Sequence, residues 1–163
     1  MAITFNLTGD AYDKLNKIIA ACGDGKPAMT TIGRVLSTRI KLGFDKSTSP
    51  YGDKWKPLKY RSGRPLINTA DLKNSITYNA DNDSVAIGTK KTQSRVQNFG
   101  AVITPRTAKT LRFFIGNRAV FAKQVIIPAR PYMPIVGNDV VLPQDWLKAT
   151  VKALQDHIES QLL

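Results

Sequence analysis

The sequence predicts an α+β fold. Three observations predict it: apolar residues recur at three- and four-residue intervals before residue 43, a Gly116-Asn117 pair divides two β-rich runs, and a proline-led amphipathic stretch closes the chain. The arrangement expected is N-terminal helices, a mainly antiparallel sheet with a long hairpin, and a C-terminal helix. One domain over residues 1–163 accommodates these elements, because a chain of 163 residues buries a sizeable core without disulfides or metal.

Thr8 is the expected N-cap of a first helix over residues 9–21, with Asp10 where the helix dipole favours an acid and Leu15, Ile18 and Ile19 at helical spacing. The glycines of CGDGKPAM end it, and Ile32, Val35, Leu36 and Ile40 predict a second helix over residues 29–43. Residues 45–65, DKSTSPYGDKWKPLKYRSGRP, follow no period and read as an extended loop. Trp55, Leu58 and Tyr60 argue that it is ordered, since a solvated linker gains nothing from large apolar groups. Residues 66–75 read as a short turn or helix with Thr69 capping and Leu72 inward. Strands are expected over 75–78 and 84–89, joined across ADND.

The clearest strand signal covers residues 109–127. Pairing Ile115 with Arg118 sets Leu111 and Phe113 opposite Ala122 and Val120, on a face expected to pack on the domain. Thr110, Arg112 and Phe114 then share a basic, aromatic face with Lys123, Phe121 and Ala119. Pro128, Pro131 and Pro134 exclude a helix interior or central strand over IPARPYMPIVG. Pro143 suits the first turn of a last helix, with Trp146, Val151, Leu154, Ile158 and Leu162 as its apolar stripe.

Lysine and arginine number 24 against 12 acids, a formal net charge of +12 that predicts attraction to anionic partners and dictates no fold. The charge is polarised: residues 34–130 hold 19 basic and 5 acidic side chains, whereas residues 139–163 hold 2 and 4. One reading is a nucleic-acid-binding module, with Trp55, Tyr60, Phe114 and Phe121 as stacking surfaces; docking against acidic protein surfaces is the other. A lone Cys22 forms no intramolecular disulfide, and with His157 as the one histidine the chain lacks a Cys/His zinc set. The start, MAITFNLTGDAYDK, has no basic n-region followed by an apolar h-region, and no apolar run reaches the roughly 18 to 20 residues of a membrane span. A soluble protein made in the cytoplasm is expected.

Catalytic constellations find no support. A Ser-His-Asp or Cys-His site would need His157, which falls on a polar face of the last helix. Neither GxxxxGK[ST] nor GxGxxG follows a strand. Asp81 and Asp83 could be written as metal ligands, yet they occupy a turn and further ligands are not evident, so a solvated hairpin turn is the reading. No catalytic, cofactor-binding or metal-ligating residue is therefore named.

Five segments occur in order: SPYGDKWKPL (49–58), PLINTADLKNSITY (65–78), VAIGT (85–89), VQNFGA (96–101) and IPARPYM (127–133). Together they resemble the phage virion morphogenesis family, also called tail completion proteins, of Mu-like and related contractile-tailed phages. The resemblance covers residues 30–160. Two departures stand out: Ala70 occupies the place of a glycine in the family's T-G-x-L step, and Val96 that of a histidine before the Q-x-G step.

The resemblance implies a non-enzymatic structural protein of the virion neck or head-proximal tail end, a tail completion or tail terminator subunit joining tail to head. It implies a homo-oligomeric ring around the DNA path, commonly of six subunits, with a head-side connector and tail tube or sheath proteins as partners and packaged DNA within reach. Such a subunit needs anchors in its loops and on its outer faces, where Trp, Tyr and Arg supply most binding energy. Trp55, Tyr60, Arg130 and Tyr132 in the loops, and Arg112, Phe121 and Lys123 on the hairpin, are the interface residues expected.

Overall fold

A computed structural model describes residues 2–5 and 24–162. The first expected helix, its cap Thr8 and Cys22 lie outside these residues. The expected α+β architecture is present: long helices flank antiparallel strands in the chain.

The central element is α1 (Lys26–Lys46), a turn longer at its start than expected. Pro27 does not delay the helix, because a first-turn proline lacks only an N–H that no intrahelical carbonyl would have accepted. Met29, Ile32, Leu36, Ile40 and Phe44 repeat along its buried face. Ser47 ends it in the left-handed region at φ 52°, its N–H directed to the carbonyls of Gly43 and Phe44.

A three-stranded antiparallel sheet of order β1-β3-β2, from β1 (Ala2–Phe5), β2 (Thr77–Ala80) and β3 (Val85–Gly88), packs on α1. Val85 and Ile87 enter the core from the middle strand. The approach is close at Gly33, where a Cβ would stand 2.4 Å from Tyr78 Cδ2 and 2.9 Å from Val85 Cγ2. A glycine is what lets the sheet lie this near the helix. The strands at 77–80 and 85–88 match expectation to within two residues. The strand at 2–5 does not, although Ile3, Thr4 and Phe5 are all strand formers that could have announced it.

Between α1 and β2 lies α2 (Asp71–Asn74), with Leu72 buried as expected. Thr69 is not its cap: Ala70 takes that position at φ 58°, with no side-chain bond to the helix. After β3 comes α3 (Ser94–Phe99), which the sequence pattern did not reveal. Two ribbons follow, β4 (Ala101–Ile103) with β7 (Val125–Ile127) and β5 (Leu111–Ile115) with β6 (Arg118–Ala122). The register of the second is the one expected, Ile115 opposite Arg118 and Phe113 opposite Val120. Its inner residues are half-buried and none joins the core, so the expectation that they pack firmly on the domain is corrected.

A short ribbon of β8 (Ile135–Val136) and β9 (Asp139–Val140) leads into α4 (Gln144–Leu162), which lies along α1. Trp146, Thr150 and Leu154 form its buried line at i, i+4 and i+8. Val151, expected in that stripe, is exposed, and Thr150 replaces it by returning its hydroxyl to the Trp146 carbonyl at 2.9 Å.

Candidate functional site

The five segments singled out in the sequence meet in space. Ser49 closes a tight turn, accepting the backbone N–H of Asp53 at 3.1 Å and that of Tyr51 at 3.2 Å. Gly52 within it sits at φ 95°. This turn sends the chain back so that Trp55 lies edge-on to Phe44, ring centres 5.5 Å apart and planes at 84°. The loop over 45–65 is thus ordered by its aromatic anchor.

From there Trp55 reaches the proline-rich segment, its indole Nε1–H donating to the Pro131 carbonyl at 2.7 Å. Arg130 answers in the opposite direction: its Nε donates to the Lys56 carbonyl at 3.0 Å and an Nη to that of Pro57 at 3.2 Å. Each segment donates to and accepts from the other, so neither leaves its buried polar groups unmatched.

The VQNFGA segment locks the same strip from another side. Asn98 Oδ1 accepts the backbone N–H groups of Tyr132 and Met133 at 2.9 and 3.0 Å, and the Gln97 carbonyl accepts that of Arg130 at 2.9 Å. The Tyr132 hydroxyl donates to the Ser94 carbonyl at 3.2 Å, and burial pushes its pKa up to about 12. Gly100, at φ 74°, passes so close that a Cβ would lie 2.8 Å from both the Ala129 nitrogen and the Ile127 carbonyl oxygen. Only glycine fits there.

PLINTADLKNSITY and VAIGT form the second group. They supply β2 and β3, and Ser75 and Thr89 hydroxyls meet at 2.6 Å. Lys73 joins the segment to the end of α1 through Asp45 at 2.6 Å, reinforced by Arg64 at 3.9 Å.

Where the segments meet they leave an open cleft of about 390 Å³, its walls including Arg61, Asn68, Asp71, Gln93, Gln97 and Arg130. Arg130 is 7 % exposed, and no carboxylate lies within ion-pair distance of it among the described residues. Burial, and then the nearby Arg61, hold its pKa below the ordinary arginine value. No group of three or more metal-ligating side chains occurs among the described residues.

Of the expected interface residues, Trp55, Arg130 and Tyr132 are buried in the single chain, where they act as anchors between its own loops, and Arg130 also lines the cleft. Proline-bounded loops suggested surface, but the indole, guanidinium and phenol are the groups that hold those loops down. Tyr60, by contrast, is 65 % exposed, with Lys59 Nζ 5.3 Å from its ring centre. Arg112, Phe121 and Lys123 are exposed on one face of the β5–β6 hairpin, where Arg112 pairs across the strands with Phe121 and lies 5.5 Å from the Phe114 ring centre. Sequence reasoning missed the neighbouring pair Val102 and Ile126, directly opposed and 61 % and 67 % exposed. The apolar runs AVI and VII were its signal. Asn98 was missed as well, since nothing local announces a side chain that serves backbone groups 34 and 35 residues away.

A model of the phage virion morphogenesis family matches residues 9–152, which takes in all five segments, the whole of α1 and the first nine residues of α4. The chain belongs to the phage virion morphogenesis family. Among curated proteins, the Mu-like prophage FluMu G protein 2 of Haemophilus influenzae is 26 % identical over 137 residues, covering 84 % of this chain and 86 % of that protein. No solved structure matches the chain significantly. For a virion morphogenesis protein, the interlocked segments have a plain physical meaning. They tie the loops of the chain to one another, and the hairpin, the Val102–Ile126 pair and the cleft are its outward features.

Proposed function

We propose that this chain is a tail completion or tail terminator subunit at the head–tail junction, joining tail to head as a ring of copies around the DNA path, six being the number expected. Membership of the morphogenesis family supports a structural role in the virion. The observation that carries the finer reading is the exposed apolar and basic surface of the two ribbons. Val102 and Ile126 on one ribbon, and Phe114 and Phe121 on the other beside Arg112, all stand in solvent in the single chain. Exposed aromatic groups set beside an arginine, with a further exposed apolar pair on a second ribbon, are what a docking surface requires and what an isolated monomer gains nothing by keeping.

The partners in this reading are neighbouring copies, the head-side connector and the tail tube or sheath. Locating the subunit in an electron-microscopy map of intact virions tests it: density for a closed ring at the neck is the expected result, and absence of the chain from the neck overturns it.

A second reading, a nucleic-acid-binding module, is favoured by Arg112 stacked on Phe114, a pairing suited to phosphate and base. It predicts that the isolated subunit binds DNA with an affinity that falls steeply as salt rises. Lack of such binding leaves the hairpin face to protein contacts.

A further inference from the structure

Arg130 poses a problem of charge. A guanidinium withdrawn from water is costly unless it is paired, and this one has two backbone carbonyls and no carboxylate. Its neighbour in the cleft, Arg61, donates only to the carbonyls of Ser62 and Ile67, each at 3.3 Å. Asp71, on the same wall, makes no ion pair with either arginine. The remaining polar lining, Asn68, Thr69, Gln93 and Gln97, offers donors and acceptors together, which suits a peptide turn. A volume of about 390 Å³ admits a few side chains and excludes a nucleic-acid duplex.

The same chain carries a feature of complementary chemistry. Asp81 and Asp83 stand exposed at the tip of the β2–β3 hairpin, in a turn closed by the Asp81 N–H on the Ser84 carbonyl at 2.9 Å. Neither has an ion-pair partner among the described residues. The tip cannot reach its own cleft by a local shift: α2, on the cleft wall, precedes β2 and the tip follows it, and four strand residues alone span roughly 10 Å.

We propose that the Asp81–Asp83 tip of one copy docks in the Arg61–Arg130 cleft of the next. The proposal rests on the ring reading above and gives it a lateral joint. Knob and socket are different patches of one surface, so the contact is head-to-tail, the type that closes into rings when its rotation permits. Two carboxylates meet two guanidiniums, and Arg130 gains the countercharge that its own subunit does not supply.

The test uses the purified full chain and sedimentation at low salt, with thermal melts to confirm folding. Arg130 is left intact because it anchors the 56–57 backbone. Arg61→Glu alone, and Asp81→Lys with Asp83→Lys, are each expected to lose the wild-type oligomer and remain folded. An equimolar mixture of the two variants is expected to regain it, because the lysine tip then meets the acidic cleft of the Arg61→Glu variant and the native aspartate tip meets an intact Arg61. Variants that self-associate as wild type does overturn the joint and leave the ring reading standing. A wild-type chain that remains monomeric up to its solubility limit also overturns the joint, and the ring itself is then decided by the virion map.

Discussion

The indole nitrogen of Trp55 is bonded to the carbonyl of Pro131, 76 residues further along the chain and 2.7 Å away. That bond, with the edge-on contact to Phe44, ties the loop after α1 to the proline-rich strip before β8. Trp55 therefore belongs to stability before assembly. Trp55→Ala is expected to lower unfolding free energy by about 3–5 kcal/mol, as for other buried tryptophans. Trp55→Phe keeps most of the packing and loses the hydrogen bond, for about 1 kcal/mol. Urea unfolding of both variants checks the order; an alanine variant as stable as wild type would return Trp55 to the interface.

Ala70 holds the left-handed conformation at φ 58° and ψ 9°, at the entry to α2. An L-residue with a Cβ is disfavoured there by about 1–2 kcal/mol, part of which glycine recovers after its larger entropy loss on folding. Ala70→Gly is expected to raise stability by about 0.5–1 kcal/mol. A melting temperature that falls in this variant contradicts the account.

The buried Tyr132 phenol makes stability depend on alkaline pH. Its pKa in the folded chain is raised by burial from 10.0 to about 12, so the unfolded chain releases this proton first. The contribution is whole below pH 10 and is lost as pH rises from 10 to 12, reaching about 3 kcal/mol for a shift of two units. Other groups titrate in the same window, so the measurement is the difference between wild type and Tyr132→Phe. The gap between their melting curves is expected to change over pH 10 to 12 in the direction that costs the wild type, and parallel curves would refute it.

Legibility in the sequence followed the range of the interactions. The Gly116-Asn117 hairpin was readable to the residue because a two-residue turn fixes register locally. Helix α1 was readable from Ile32, Leu36 and Ile40, and only its ends moved. The site was not legible in the same way. Trp55, Arg130 and Tyr132 stand out in the sequence, but their hydrogen-bond partners lie 73 and more residues away in the first two cases and 34 and 38 in the third. A tryptophan in a proline-bounded loop looks the same in sequence whether it points outward or in. Residues 94–99 escaped because a six-residue helix has too few turns to show a period.

The hairpin face gives the last prediction. Arg112 and Lys123 are exposed, lie on β5 and just after β6, and make no ion pair among the described residues. Reversing their charge removes no core contact, so Arg112→Glu with Lys123→Glu is expected to change stability by less than about 0.5 kcal/mol, as surface substitutions do. Attachment is another matter. Phe114 and Phe121 flank these charges, and an interface built on aromatic anchors with arginine at their edge rejects a like charge brought against an acidic partner. Tails carrying the double variant are expected to fail to join heads while the purified chain melts as wild type does. Under the proposed ring reading a protein contact is expected over DNA, because a channel through which DNA must slide gains little from tight phosphate binding. Normal yields of infectious particles from the double variant would remove the hairpin from the joint and leave its basic face as ordinary solvated surface.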